Sequence, residues 1–422
     1  MLRFYNGKII RFYPEIRITD DEVWVDGNKI SYVGPKKEKP ECGFEREINL
    51  GGDVLMPGFK NCHTHTAMVF LRSLADDMPL DKWLYESILP REAKLTDEAL
   101  YDLTKLGILE YLAGGTTTTF DMYMKNDSYA LANSECGFRT VICASLNNYD
   151  SDIYNIEREF IKFNNYNSDL ISYKLGIHAE YTTSMERMEY AVSLSKKYKS
   201  PMFTHLCETK NEVAGCIERY GMTPPLLLDS IGFFDYGGGG IHCVHMSDDD
   251  ISLFKEKHLY AVTNPASNLK LASGIAPIEK LRTSGIELAI GTDGAASNNS
   301  LDMFREMYLA ACLQKVRESD AGAMPAEEVL KMACCNGAHL LGIDADDIAE
   351  GKLADLIVLS LNAPHMRPIN NIIANIVYSG KSTDVRLTMI NGKILYENGN
   401  FYVGTDIDEI YRKAQSFADT VK

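Results

Sequence analysis

The sequence predicts an α/β protein: a (β/α)8 TIM barrel with a small β-sandwich domain built from both chain termini. Three observations carry this. Eight short apolar β-type runs alternate with longer helical patterns through the middle of the 422 residues. Short β-rich runs broken by turn residues recur at both ends, and histidines and an aspartate stand where apolar runs stop.

At the start, residues 2–12 and 23–33 read as strands punctuated by Thr19-Asp20-Asp21 and Gly27-Asn28. Near the far end, residues 354–359, 373–378, 385–390 and 393–396 are β-rich and interrupted by Asn391-Gly392 and Asn398-Gly399, strong hairpin dipeptides. One β domain from both termini explains the symmetry. Between them, residues 54–59, 116–122, 140–146, 173–177, 202–205, 240–244, 259–263 and 286–291 are the eight expected barrel strands. The glycine tract 237–240 reads as a tight turn feeding the sixth. An open doubly wound sheet is the alternative, but no GxGxxG follows the first strand. The expected organisation is residues 1–56 and 351–404 as the two parts of the sandwich, 57–350 as the barrel and 405–422 as a C-terminal helix.

Hydrophobic content of 45% and charged content of 24% are those of a globular chain with a large core. A net charge of -16 argues against a nucleic-acid partner, which requires a basic surface. The first 22 residues alternate charged and apolar groups unlike a signal peptide, and the chain carries no apolar run of bilayer-spanning length, so no membrane partner is expected. Ten cysteines, among them Cys42, Cys62, Cys143, Cys207, Cys243, Cys334 and Cys335, lie in apolar segments without a CxxC pair. They read as buried reduced thiols of a cytoplasmic protein.

In a (β/α)8 barrel the chemistry lies at the C-terminal strand ends. His63 and His65 close the first strand; two residues apart in an extended chain, both imidazoles face one side and one metal. His178, His205, His242 and Asp293 end strands four, five, six and eight, so five of nine histidines fall at strand ends. A single such histidine reads as a hydrogen-bonded core residue. Five with an aspartate read as a metal site. Structural sites are closed by four cysteine or histidine ligands, whereas a His, His, His, Asp set suits catalysis. Glu208, three residues beyond His205, would be a solvated loop charge if alone; beside a metal-bound water it is a proton carrier.

PGFKNCHTHT, LRSLADDMPLDKWL, HLCETKNEV, IHCVH, NPASNLKLASGIAPI and GTDGAASNNSLDMF, taken together, resemble the 5-methylthioadenosine/S-adenosylhomocysteine deaminase group of the amidohydrolase superfamily. The likeness spans essentially the whole chain. It implies one Zn2+ per subunit on His63, His65, His205 and Asp293, with Glu208 the proton shuttle and Asp293 assisting deprotonation. Iron or manganese would also suit these ligands. It further implies that His242 rather than His245 orients the nucleophile, although sequence alone permits either. Trp83 is placed against the nucleoside, Glu92 on the ribose hydroxyls and His178 nearby. The implied reaction converts an adenosine-type nucleoside to its inosine-type product and ammonia, and the implied assembly is a homo-oligomer. Guanine, cytosine and triazine hydrolysis are the alternatives within the superfamily.

One departure bears on specificity. Members accepting S-adenosylhomocysteine look to have arginines at the end of strand three and in the following loop, whereas residues 143–153 contain none here. Arg139 precedes that strand and Arg158 lies in the next helix.

Overall fold

The computed structural model describes residues 1–40, 43–78 and 82–422. Eight parallel strands follow one another in chain order: Phe59–Thr64, Thr116–Met122, Arg139–Cys143, Ile171–Ala179, Met202–Leu206, Gly238–His242, Tyr260–Thr263 and Glu287–Ile290. The eighth returns to the first, where Asp293 N–H donates to the His63 carbonyl at 2.9 Å and the Asn61 amide donates to the Thr292 hydroxyl at 2.7 Å. The expected barrel is therefore present.

Its interior is solid. Cys62, Phe120, Val141, Phe203, Ile241 and Val262 pack together from six strands, and the Phe120 and Phe203 rings meet edge to face at 4.9 Å. Because side chains fill the middle, small molecules can be handled only at an end. Outside, helices cover the strands, so a run such as Thr116–Met122 is buried on both faces. Gly238–His242 runs close to both neighbours: a Cβ on Gly238 would lie 1.9 Å from the Met202 carbonyl, and one on Gly239 2.2 Å from that of Tyr260. The glycine tract thus forms most of the sixth strand itself, not the turn before it.

Two further sheets come from the termini. One orders Lys29–Gly34, Glu22–Asp26, Leu2–Tyr5 and Arg46–Asn49. The other mixes both ends, running Asn400–Phe401, Lys393–Glu397, Val385–Ile390, Leu356–Leu359, Val54–Pro57, Lys8–Arg11 and Arg17–Thr19. Phe4, Val25, Leu55, Leu356 and Met389 share one core between them. Asn391-Gly392 and Asn398-Gly399 all have positive φ, as two-residue hairpin turns demand.

Three expected strands change. Residues 2–12 break at Asn6, φ +59, into strands of different sheets. Residues 54–57 of the expected first barrel strand join the terminal sheet, and the barrel strand begins at Phe59, after Gly58, where a Cβ would sit 2.1 Å from the Thr117 side chain. Residues 373–378 are helical: in Ile372–Tyr378 the Asn371 side chain accepts from the Ala374 N–H at 2.9 Å, and Ile372, Ile373, Ile376 and Val377 bury one helical face. The chain ends in the helix Ile407–Thr420, whose Phe417 packs on Phe70 at 5.3 Å.

The nine described cysteines are unpaired, eight buried and Cys312 half-buried; Cys42 lies outside the described residues. No helix among the described residues is long and apolar enough to cross a membrane.

Barrel and terminal sheet are joined by a sealed ion pair, Arg139 Nε to Asp355 Oδ2 at 2.6 Å, with exposures of 2% and 0% for the side chains. Asp355 also accepts the Asn391 N–H at 2.7 Å, and its charge opposes the burial that drives down the pKa of Lys60. Asp355→Ala leaves the buried Arg139 guanidinium without its counter-charge and should cost about 3–5 kcal/mol. It should appear as a lower urea midpoint with an unchanged m value. A loss under about 1 kcal/mol, the worth of an exposed pair, contradicts this reading.

Candidate active site

At the C-terminal end of the barrel, the strands deliver their histidines tip first. His65 Nδ1 lies 2.5 Å from the Met122 carbonyl and His205 Nδ1 2.7 Å from the His178 carbonyl. Each carbonyl requires the proton on Nδ1, which leaves Nε2 with a free lone pair. Those Nε2 atoms and that of His63 converge. His63 Nε2 is 3.2 Å from His205 Nε2, and Asp293 Oδ1 is 3.3 Å from His65 Nε2 and 3.5 Å from His63 Nε2. A tetrahedral ion with bonds of about 2.1 Å has ligand–ligand edges of about 3.4 Å, which these three separations match. His63, His65 and Asp293 form one donor group close enough together for a metal, and His205 adjoins it through His63. The donors fit chemically too: burial pushes the His63 imidazole down to about 3 and holds His205 well below its ordinary value, keeping both neutral.

Asp293 is held rigidly. Its backbone is left-handed at φ +61, the Gly294 N–H donates to Oδ1 at 2.8 Å, and the hydroxyls of Ser267 and Ser297 donate to Oδ2 at 2.5 and 3.0 Å. Oδ2 is thus occupied by hydroxyls while Oδ1 faces the histidines.

His242 completes the ring, with Nδ1 2.8 Å from Asn268 Oδ1 and Nε2 3.8 Å from Glu208 Oε2. Burial disfavours charge on His242, but Glu208 and Asp293 outweigh it and raise its pKa. His63, His205 and His242 also lie close enough together to hold an ion. His245 turns away, Nε2 meeting the Ser273 carbonyl at 2.8 Å, so the inward residue of the pair is His242. Glu208 is 7% exposed, and its Oε1 accepts the Ser273 hydroxyl at 3.2 Å.

These groups border a cavity of about 670 Å³ that also reaches Trp83, Glu92 and His178. Trp83 is buried in a wide helical turn, Trp83–Ile88. Glu92 is buried, which raises its pKa, and Oε1 accepts the Tyr123 hydroxyl at 2.5 Å. His178 Nδ1 pairs with Thr182 Oγ1 at 2.9 Å, and burial pushes the ring down to about 4. His65, Trp83, Glu92, His178, His205, Glu208, His242 and Asp293 therefore border this one space, with His63 in contact with His205 and Asp293. Arg139 is sealed in its pair with Asp355, remote from the cavity lining. Arg158 does border the cavity, bound to Asp152 at 2.6 Å.

Sequence reasoning missed the supporting layer: Ser267, Asn268, Ser273, Ser297 and Glu212. The first four lie inside the very segments that carried the family resemblance, NPASNLKLASGIAPI and GTDGAASNNSLDMF, and the fifth inside HLCETKNEV. That was the available signal.

The chain is similar over nearly its full length to known proteins. A 5-methylthioadenosine/S-adenosylhomocysteine deaminase from Syntrophobacter fumaroxidans is 37% identical over 100% of this chain and 98% of its own. A 5'-deoxyadenosine deaminase from Methanocaldococcus jannaschii is 38% identical over 95% and 96%. The solved structure of an adenosine deaminase from Xanthomonas campestris with bound zinc superposes with a TM-score of 0.94 at 31% identity, covering 100% of this chain and 98% of that one. The amidohydrolase family model matches residues 54–395, and the chain belongs to the amidohydrolase family.

Proposed function

We propose that the protein is a zinc-dependent deaminase of adenosine-type nucleosides, accepting 5-methylthioadenosine, 5'-deoxyadenosine and adenosine and releasing ammonia. The observation that carries this is the pair of donor groups that share His63, one with His65 and Asp293 and one with His205 and His242, set beside the buried carboxylate Glu208 at one cavity. Relatives whose names describe deaminases of such nucleosides match over nearly the full chain.

His63, His65, His205 and Asp293 are the proposed ligands. Zinc held there would supply a water acidified towards neutrality. Glu208 takes the water's two protons in turn, delivering the first to the purine ring nitrogen as the oxygen adds to C6 and the second, from the hydroxyl now on C6, to the departing amine. His242, anchored by Asn268 opposite Glu208, orients the nucleophile and bears the charge that develops there. Glu92 accepts the ribose hydroxyls, while Trp83 and His178 hold the nucleoside so that C6 faces Glu208. One water is consumed, and the C6–amine bond is exchanged for C6–oxygen.

The cavity also bears on the 5'-group. Among the described lining residues the two cations are already engaged, Lys125 with Asp97 at 2.7 Å and Arg158 with Asp152 at 2.6 Å, and Asp150 and Glu159 stand nearby in the wall. An amino-acid carboxylate would meet like charge. A panel of 5'-modified adenosines assayed for ammonia should give kcat/KM at least about tenfold lower for S-adenosylhomocysteine than for the best of the three smaller nucleosides, equivalent to about 1.4 kcal/mol. A best rate with the homocysteine compound would mean that Arg158 leaves Asp152 to bind it. Hydrolysis of guanine or a triazine in place of every nucleoside would overturn the proposed substrate class.

A further inference from the structure

Glu208 lies in the short link between the strand Met202–Leu206 and the helix Lys210–Tyr220, where no regular ladder holds the backbone. The preceding residue, Cys207, is left-handed at φ +51, unusual for a residue with a side chain. That conformation points two successive N–H groups the same way, and both meet one carboxylate. Glu212 accepts from Cys207 N–H at 2.7 Å through Oε1 and from Glu208 N–H at 2.8 Å through Oε2. The Cys207 carbonyl is held on its other side by the N–H groups of Val244 and His245, at 3.1 and 2.9 Å, just beyond His242. Glu212 is itself fixed in the first helical turn, where its N–H donates to Thr209 Oγ1 at 3.1 Å.

Glu212 is 6% exposed and lies outside the cavity lining, so it does not reach a nucleoside. A helix cap needs only one side-chain acceptor, and Thr209 already supplies it. A buried carboxylate placed on the two peptide groups leading into Glu208 has a different consequence: it sets where the Glu208 carboxylate points relative to His242 and Asp293. Burial and the Glu208 charge push the Glu212 carboxyl up to about 7, while backbone N–H groups favour its charged form.

We propose that Glu212 is a positioning residue that fixes the link carrying Glu208 and thereby aligns the proton shuttle; this rests on the role of Glu208 given above. The gain is geometric, because a displacement of about 1 Å at a reacting group can cost about 10²-fold in rate.

The test is a double-mutant cycle in the zinc-loaded enzyme with 5'-deoxyadenosine, following kcat, KM and zinc per chain. Glu212→Gln leaves one oxygen to accept and sets an amide against the other N–H. In the parent it should lower kcat about 10- to 100-fold with KM within about threefold and one zinc retained. In a Glu208→Gln background the same change should cost less than about twofold, because nothing is left to align. Glu212→Asp, which keeps the charge and both oxygens, should retain more turnover than Glu212→Gln, and it is run in both backgrounds in case the amide variant folds poorly. Equal losses in the two backgrounds, a parent-like kcat, or a kcat that falls only with zinc content overturns the proposal. A Glu208→Gln enzyme as active as the parent instead overturns the role of Glu208, and this proposal with it.

Discussion

Glu208→Gln is expected to keep one zinc per chain and a KM within about threefold of the parent while turning over 5'-deoxyadenosine about 10³-fold more slowly. The substitution preserves volume and still accepts the Ser273 hydroxyl through its amide oxygen, so the loop stays in place. What it removes is the basic oxygen 3.8 Å from His242 Nε2 and the only proposed route for protons from water to the leaving amine. Because Glu208 is not among the proposed ligands, metal content and rate should separate. Steady-state kinetics with metal analysis on the same sample reads both; a loss below about tenfold would return Glu208 to the role of an ordinary loop carboxylate.

Asp293→Ala should have the largest effect. It deletes the oxygen facing His63 and His65 and strands three donors that now converge on the carboxylate, from Ser267, Ser297 and Gly294. It also removes the negative charge nearest the imidazoles. Burial disfavours the charged form of Asp293, yet His63, His65 and His242 overcome it and hold the carboxyl well below the usual range. Zinc should fall below about a tenth per chain, and turnover should drop about 10⁴-fold through loss of several kcal/mol of metal assistance. Zinc retained at one per chain would point to the other donor group, His63, His205 and His242, as the true cage.

The metal-facing residues were legible because their signal is one-dimensional. A His-x-His at a strand end puts two imidazoles on one side whatever surrounds it, and His205 and Asp293 end apolar runs in the same way. The supporting layer carries no such local mark. Ser267 and Ser297 are ordinary serines in sequence until the short helices after the seventh and eighth strands bring them 2.5 and 3.0 Å from one carboxylate oxygen. Glu212 looks like a solvated first-turn charge, and only the left-handed Cys207 turns two N–H groups onto it.

The fold was legible with similar limits. Eight alternations and two β-rich ends led to the barrel and the terminal sheets, but hydrophobic runs do not say which sheet they join. The apolar stretch 54–57 pairs with Leu356–Leu359 in the terminal sheet, while the first barrel strand, Phe59–Thr64, contains Lys60, Asn61 and His63 and reads as polar. Lys60 is nonetheless wholly buried, its ammonium donating to the Gly58 carbonyl at 2.7 Å. Residues 373–378 are too short for periodicity to separate strand from helix, and the Asn371 cap was the deciding cue.

The central claim, that one metal held at these strand ends drives deamination of an adenosine-type nucleoside, is tested most directly by titrating zinc into metal-stripped protein while following ammonia release from 5'-deoxyadenosine. The rate should rise with bound zinc and saturate at one ion per chain, with one inosine-type product formed for each ammonia. Turnover indifferent to metal, or a fully loaded chain that releases no ammonia from any adenosine-type nucleoside, would contradict it.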